Sequence, residues 1–253
     1  GGPAGMEAAI TAAQRGHDVT LVEKQDHLGG NLIPAGSAYF KGDYLELAKV
    51  LEKRVYENGV HVQLNTEVTS SFIQGFDPDA VFVAIGSKEC KPPIPGLDSD
   101  KVIMAIDAEL HPEKLGKKVV IMGGGLVGCE GAIGWHHEGH DCTIIEMKPE
   151  VAMECNSFYR GGLLPRIYDA ATVMYNTSVK AVTEEGVLVC DADGKESVIE
   201  ADSVVCALGF KSEYEKVDAL SDMVDEYYII GDCQKVGKVY DAMSTAYYAA
   251  CRV

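Results

Sequence analysis

Gly123, Gly125 and Gly128 stand at the spacing G-x-G-x-x-G, and Glu146 follows about 20 residues on. Glycines at these places make a tight turn, let a pyrophosphate approach the backbone, and pack a helix closely on a strand. The helix that starts there offers unpaired N–H groups and a partial positive charge to a phosphate. An acid closing the second strand accepts hydrogen bonds from ribose hydroxyls. The chemistry these residues support is dinucleotide binding. A carboxylate at 146 would repel a 2′-phosphate, so NADH is expected over NADPH. Lys148 lies close enough to blur that preference, and the alternative to ribose binding for Glu146 is a solvated acid at a strand end.

The same pattern occurs at the start of the chain. Superposing residue 1 on residue 124 aligns GGPAGMEAAI with GGLVGCEGAI without a gap. Gly2, Gly5 and Glu23 then fall on Gly125, Gly128 and Glu146. DAVFVAIG (79–86) overlies DSVVCALG (202–209) at the same offset, while NTEV (65–68) and NTSV (176–179) form a looser echo that has drifted. Two copies mean a duplicated domain and not a solenoid.

The elements that must carry these residues follow from composition and period. KKVVIMG (117–123) is a continuous apolar run of the kind that makes a buried parallel strand. Its counterpart would precede residue 1, so the chain is expected to begin just after the first strand of its first domain, as a segment of a longer polypeptide. Residues 3–16 predict a helix stopped by Gly16, 19–23 a strand, 44–59 a helix, and 60–64 a strand. In the second copy LVGCEGAIGWHHEG predicts a helix, CTIIE a strand and SFYRGGLLPRIYDA an irregular helix, followed by a short β meander over about 176–201. YYIIGD (227–232) and a final helix close the chain. Alternating strands and helices imply α/β architecture with parallel sheets.

Other residues carry less. Glu7 and Glu130 are expected in the first turn of their helices, where negative charge is favourable in any case, and are not read as ligands. Asp232 ends a strand before a glycine-containing turn. It can present a carboxylate to ribityl hydroxyls, or it can be a simple cap or turn residue. His136 and His137 are adjacent on a helix and point about 100° apart, so they cannot chelate as an i, i+4 pair would. None of the eight cysteines forms C-x-x-C or C-x-x-x-x-C, and scattered reduced thiols suit the cytoplasm. Cys129, Cys142, Cys190 and Cys206 sit in apolar, strand-like contexts and read as small buried hydrophobes. No stretch has the ~20 apolar residues of a bilayer span. A formal net charge of −17 disfavours nucleic acid and anionic membranes as partners. A phosphate-bearing ligand must therefore be held by local backbone geometry.

GGPAGMEAA, EK followed by LGGN, VAIGS with PPIPG, GGGLVGCE and IGDC together resemble the two-dinucleotide-binding-domain flavoproteins. Among these, the likeness is to the C-terminal part of NADH:flavin oxidoreductases of the 2,4-dienoyl-CoA reductase, 2-enoate reductase and trimethylamine dehydrogenase type. It covers essentially the whole chain. The resemblance implies two Rossmann-like domains with parallel sheets, each with a small β meander, the second inserted in the first, and the first strand of the first domain missing. The FAD domain would be 1–108 plus 209–253 and the NAD(P)H domain 109–208. Gly2, Gly5, Glu23, Lys24, Gly30, Asn31, Val68, Ala84, Gly86 and Asp232 match the FAD-facing motifs, with Asn31 standing where many relatives have glutamine. Gly125, Val127, Gly128, Glu146 and Gly209 match the nicotinamide side.

What the resemblance implies for function is an electron-input module. It would pass hydride from NADH to FAD, then electrons to an N-terminal barrel of the same polypeptide carrying FMN and a 4Fe–4S cluster, for reduction of an activated C=C bond. No catalytic side chain is expected, because the cofactors carry the chemistry. The alternative is a non-catalytic module that holds ADP or FAD as a structural ligand. Homo-oligomerisation is left open. Without a central strand these residues alone are expected to bind FAD poorly and to be inactive in isolation.

Overall fold

The structure, a computed structural model, describes residues 1–221 and 224–253. In chain order it forms α1 (Pro3–Gln14), β1 (Thr20–Val22), α2 (Leu32–Ala35), α3 (Asp43–Glu57), β2 (His61–Gln63), α4 (Ser70–Phe76), β3 (Ala80–Val83) and β4 (Ser87–Glu89). Next come β5 (Val102–Met104), α5 (Ala105–Leu110), β6 (Lys118–Met122), α6 (Leu126–His137), β7 (Asp141–Ile145), α7 (Ser157–Ala170) and β8 (Ala171–Met174). The strands β9 (Ser178–Val182), β10 (Gly186–Cys190), β11 (Glu196–Glu200) and β12 (Ser203–Cys206) follow. The chain closes with β13 (Phe210–Ser212), α8 (Tyr214–Ser221), β14 (Glu226–Ile229) and α9 (Val239–Ala250).

Two compact units divide the chain, one of Gly1–Gly36, Lys41–Lys88 and Phe210–Val253, the other of Ser37–Phe40 and Glu89–Gly209. The second is thus inserted in the first. The chain enters it at 88/89 and not at 108/109. The reason is that β5 pairs in parallel with β12, and Ala105 and Ala108 of α5 are fully buried in the inserted unit's core.

The inserted unit is built on a five-stranded parallel sheet in the order β5-β12-β6-β7-β8. The unbroken apolar run of β6 takes the central place because both of its faces are covered. Val119 and Ile121 point into a cluster with Cys129, Ala132 and Trp135 of α6 and Leu163 and Ile167 of α7. Val120 and Met122, one residue out of phase, meet Val187 and Val189 of the antiparallel meander β9-β10-β11. Trp135 is the largest fully buried side chain, and its Nε1 donates to Ala108 O at 3.3 Å. Trp135→Ala is expected to cost about 3–5 kcal/mol through cavity formation, read as a lowered urea midpoint. An unchanged midpoint would show that α6 does not anchor this unit.

Ser37–Phe40 belongs to this unit although the chain on either side does not. The Tyr39 ring stacks on His137 at a centroid distance of 4.0 Å. The Arg166 guanidinium lies 4.3 Å from the Phe40 ring centre and donates to Tyr39 Oη at 3.0 Å. Ser37 Oγ donates to Glu109 at 3.0 Å.

In the first unit β1 pairs in parallel with β2, and β3 with β14. At the offset of 123, β1 and β3 fall on β7 and β12; β2 falls on β8 only with the drift of the NTEV/NTSV echo, and β14 takes beside β3 the place that β5 holds beside β12. Between β12 and β7 the inserted unit has β6; among the described residues the first unit has no strand in that place. Nor do the described residues of this unit form a meander: helix α4 follows β2 there, N-capped by Thr69, whose hydroxyl accepts from Phe72 N at 3.2 Å. Along α1, Ala4, Ala8 and Ala12 form a small-residue face at i, i+4 spacing against Ala242, Ala246 and Ala250 of α9. The other face sends Met6 and Ile10 against Leu51 and Val55 of α3.

Candidate functional site

In the inserted unit the glycine turn is dictated by space as much as by conformation. Gly123 has φ +107°, and a Cβ there would lie 2.4 Å from Ala207 O. A Cβ on Gly128 would stand 2.2 Å from Gly123 O. Only bare backbone lets α6 start directly on the turn. Gly125 is the extended N-cap, with no side chain to satisfy the first N–H groups, and Val127 lies half-exposed in the first turn. Gly209 follows β12 with φ +90° and open space around it.

Glu146 ends β7 and turns back onto these glycines. Its Oε2 accepts from Gly124 N and its Oε1 from Lys148 N, both at 2.8 Å. Each carboxylate oxygen keeps a further lone pair for a ribose hydroxyl. The segment after it is tied down by Ala152 N to Gly124 O at 2.7 Å, and by Arg160, whose Nε donates to Val151 O at 3.0 Å. Glu154 Oε1 accepts from Leu126 N, the first N–H of α6.

The first unit repeats the contacts between the acid, the glycine turn and the loop after the second strand. Glu23 Oε2 lies 2.8 Å from Gly1 N, and its Oε1 accepts from Gln25 N at 2.8 Å. Gly29 N donates to Gly1 O at 2.8 Å. Gly2 is the extended N-cap of α1 and Pro3 its first residue, with no side-chain cap. Gly5 approaches Ala84 as Gly128 approaches Ala207: a Cβ on either glycine would lie 3.3 Å from the alanine's Cβ. Gly30, at φ +52°, sits against Gly2, where a Cβ would be 2.8 Å from the Gly2 Cα. Lys24 is exposed, and Asn31 is the exposed N-cap of α2. The drifted echo is a true equivalence. Thr66 N donates to Glu23 O at 2.9 Å and Thr177 N to Glu146 O at 3.0 Å, and Asn65 and Asn176 both adopt φ near +50°, at +53° and +49°. Val68, just beyond, packs with Ile73 and Val83.

Gly86 and Asp232 meet at the other end of this first cradle. Gly86 N donates to Cys233 Sγ at 3.0 Å, and Ser87 Oγ donates to Asp232 Oδ2 at 2.9 Å. Asp232 Oδ1 accepts from Gly237 N at 3.1 Å, so this carboxylate does close a local turn. Gly231 beside it lies against Ala4 in the first turn of α1, which sets Asp232 near that helix N-terminus.

Two sequence expectations change. Glu7 and Glu130 are not in the first helical turn; each is the fifth residue of its helix and buried. Glu130 Oε1 accepts from Tyr159 Oη at 2.6 Å. Glu7 Oε2 has no hydrogen-bond partner, and the Arg54 guanidinium lies 3.8 Å away. Cys190 is half-buried, while Cys129, Cys142 and Cys206 are buried. Burial pushes the Cys129 and Cys142 thiols up to about 12, which leaves them without thiolate character at neutral pH. Sequence reasoning missed Glu154, Tyr159 and Arg160. The first of these was detectable, because the offset of 123 sets Glu154 on Asn31 and Ala152 on Gly29.

A family described as pyridine nucleotide-disulphide oxidoreductase matches residues 1–249. Cinnamate reductase of Clostridium sporogenes is 37% identical over 99% of this chain and 38% of its own length. NADH oxidase of Thermoanaerobacter brockii is 35% identical over 100% of this chain and 40% of its own length. A solved structure of 2-naphthoyl-CoA reductase in complex with 2-naphthoyl-CoA superposes with a TM-score of 0.94 at 31% identity, over all of this chain and 38% of that one. The chain therefore spans less than half the length of each of these relatives.

Proposed function

Because this chain belongs to the pyridine nucleotide-disulphide oxidoreductase family, we propose that it is the electron-input module of a flavin-dependent oxidoreductase, with FAD in the first unit and NADH in the inserted one. Bound FAD supplies the hydride acceptor and the route by which electrons continue to an iron–sulfur and FMN part of the same polypeptide. The residues of this chain do the holding. Backbone N–H groups at the starts of α1 and α6 take the diphosphates, and Glu23 and Glu146 take the riboses. Asp232 faces the flavin side of the first cradle. The final acceptor is an activated C=C bond, a reading supported by the names of the cinnamate and 2-naphthoyl-CoA reductases.

One observation carries this reading: the two cradles share the same hydrogen bonds at a constant offset, each with an acid locked onto its glycine turn. The eight cysteines are free, which suits direct hydride transfer without a disulfide relay, in a reducing cytoplasm. No helix among the described residues is long and apolar enough to cross a membrane. The test is anaerobic titration of the intact protein with NADH. Stepwise bleaching of the visible flavin band is expected, complete only beyond one NADH per FAD because the FMN and the cluster draw electrons as well. A protein that carries tightly bound ADP and whose flavin never bleaches is instead a structural nucleotide holder, and the reductase reading fails.

A further inference from the structure

Among the positions at which the two cradles differ in charge, one is set against the start of the glycine-turn helix. In the first, residue 31 is a neutral asparagine that caps α2 and makes no side-chain cap bond. Its counterpart in the inserted unit is Glu154, whose Oε1 accepts from Leu126 N at the start of α6. A Cβ on Gly125 would stand 3.0 Å from that same oxygen. The carboxylate therefore takes the N–H and the positive helix end that a diphosphate would otherwise use. Glu154 is exposed, and the loop before it is held through the main chain at Ala152. The side chain can swing out without undoing the cradle.

We propose that Glu154 is a built-in counter-ligand that the nucleotide's diphosphate must displace. It satisfies the N-terminus of α6 when the nucleotide is away, and it lowers affinity by the work of displacing it and by repulsion between like charges. The inserted cradle thereby releases its nucleotide readily, as a turning-over substrate site requires. The first cradle, with Asn31, has no such competitor and keeps its cofactor resident. This inference rests on reading the inserted cradle as a dinucleotide site.

The experiment compares intact wild-type protein with Glu154→Gln, which keeps the size and an acceptor oxygen but removes the charge. Calorimetric titration with ADP-ribose is expected to show a Kd about three- to tenfold lower in the variant, with slower dissociation in stopped flow. Adenosine, which lacks phosphate, should bind both proteins equally. The reciprocal variant Asn31→Glu should retain less FAD on gel filtration. Equal or weaker ADP-ribose binding by Glu154→Gln, in a variant with an unaltered unfolding midpoint, overturns the inference and leaves the dinucleotide reading standing. If wild-type protein binds neither ADP-ribose nor NADH, the reading of the cradle itself is wrong.

Discussion

Gly123→Ala is expected to destabilise the inserted unit by roughly 2–5 kcal/mol and to abolish NADH-dependent flavin reduction. Two costs combine at this residue. The backbone sits at φ +107°, which a side chain rarely adopts, and the new Cβ would press to 2.4 Å from Ala207 O, a main-chain atom that cannot rotate away. Gly139→Ala separates them. It has φ +100° but nothing within 4 Å, so it carries the conformational cost alone, about 1 kcal/mol. Urea unfolding of both variants reads the difference, which is the clash. Equal midpoints for the two would mean that the turn does not press on β12, and the close-packed origin of the cradle would have to be given up.

Glu146→Ala is expected to weaken NADH binding by about 2–3 kcal/mol, which is about 30- to 150-fold in Kd. The loss has three parts: the ribose contacts, and the acceptors for Gly124 N–H and Lys148 N–H, which now hold the glycine turn to the strand end. Discrimination against NADPH should fall in the same variant, because the carboxylate that repels a 2′-phosphate is gone while Lys148 remains. Glu146→Gln should land between, since it keeps an acceptor and loses the charge. Measured Kd values for both nucleotides decide the matter. A variant that binds NADH as well as the wild type would make Glu146 a spectator at the strand end.

Much of the inserted unit was legible because its signals are local and redundant. The apolar run of β6, the glycines at 123, 125 and 128, and the acid at 146 each specify the same strand–turn–helix–strand unit, and the duplication states it twice. Less visible were features that depend on what packs from elsewhere. Glu7 and Glu130 read as first-turn acids from their spacing to the glycines, but helices that begin at Pro3 and Leu126 carry them one turn further in and bury them. The stretch after β2 was expected to mirror the meander of the other copy. It became α4 because Thr69 caps a segment whose Ile73 packs with Val83 and Val217. Asp232 left two readings open since a strand-end acid before a turn is common. The Ser87 and Gly237 bonds show the turn role, and its neighbour Gly231 shows how near it lies to α1. Glu154 needed only the repeat to be extended by eight residues beyond Glu146.

The seating of Ser37–Phe40 sets a rule for anyone who would transplant this nucleotide module. Excising 89–209 as a cassette would leave Tyr39 and Phe40 in the donor, without His137 and Arg166 to cover them, and would carry away a graft with a bare seat on α6 and α7. A chimera that exchanges both stretches together preserves the rivet; one that exchanges only the longer invites aggregation at a four-residue scar.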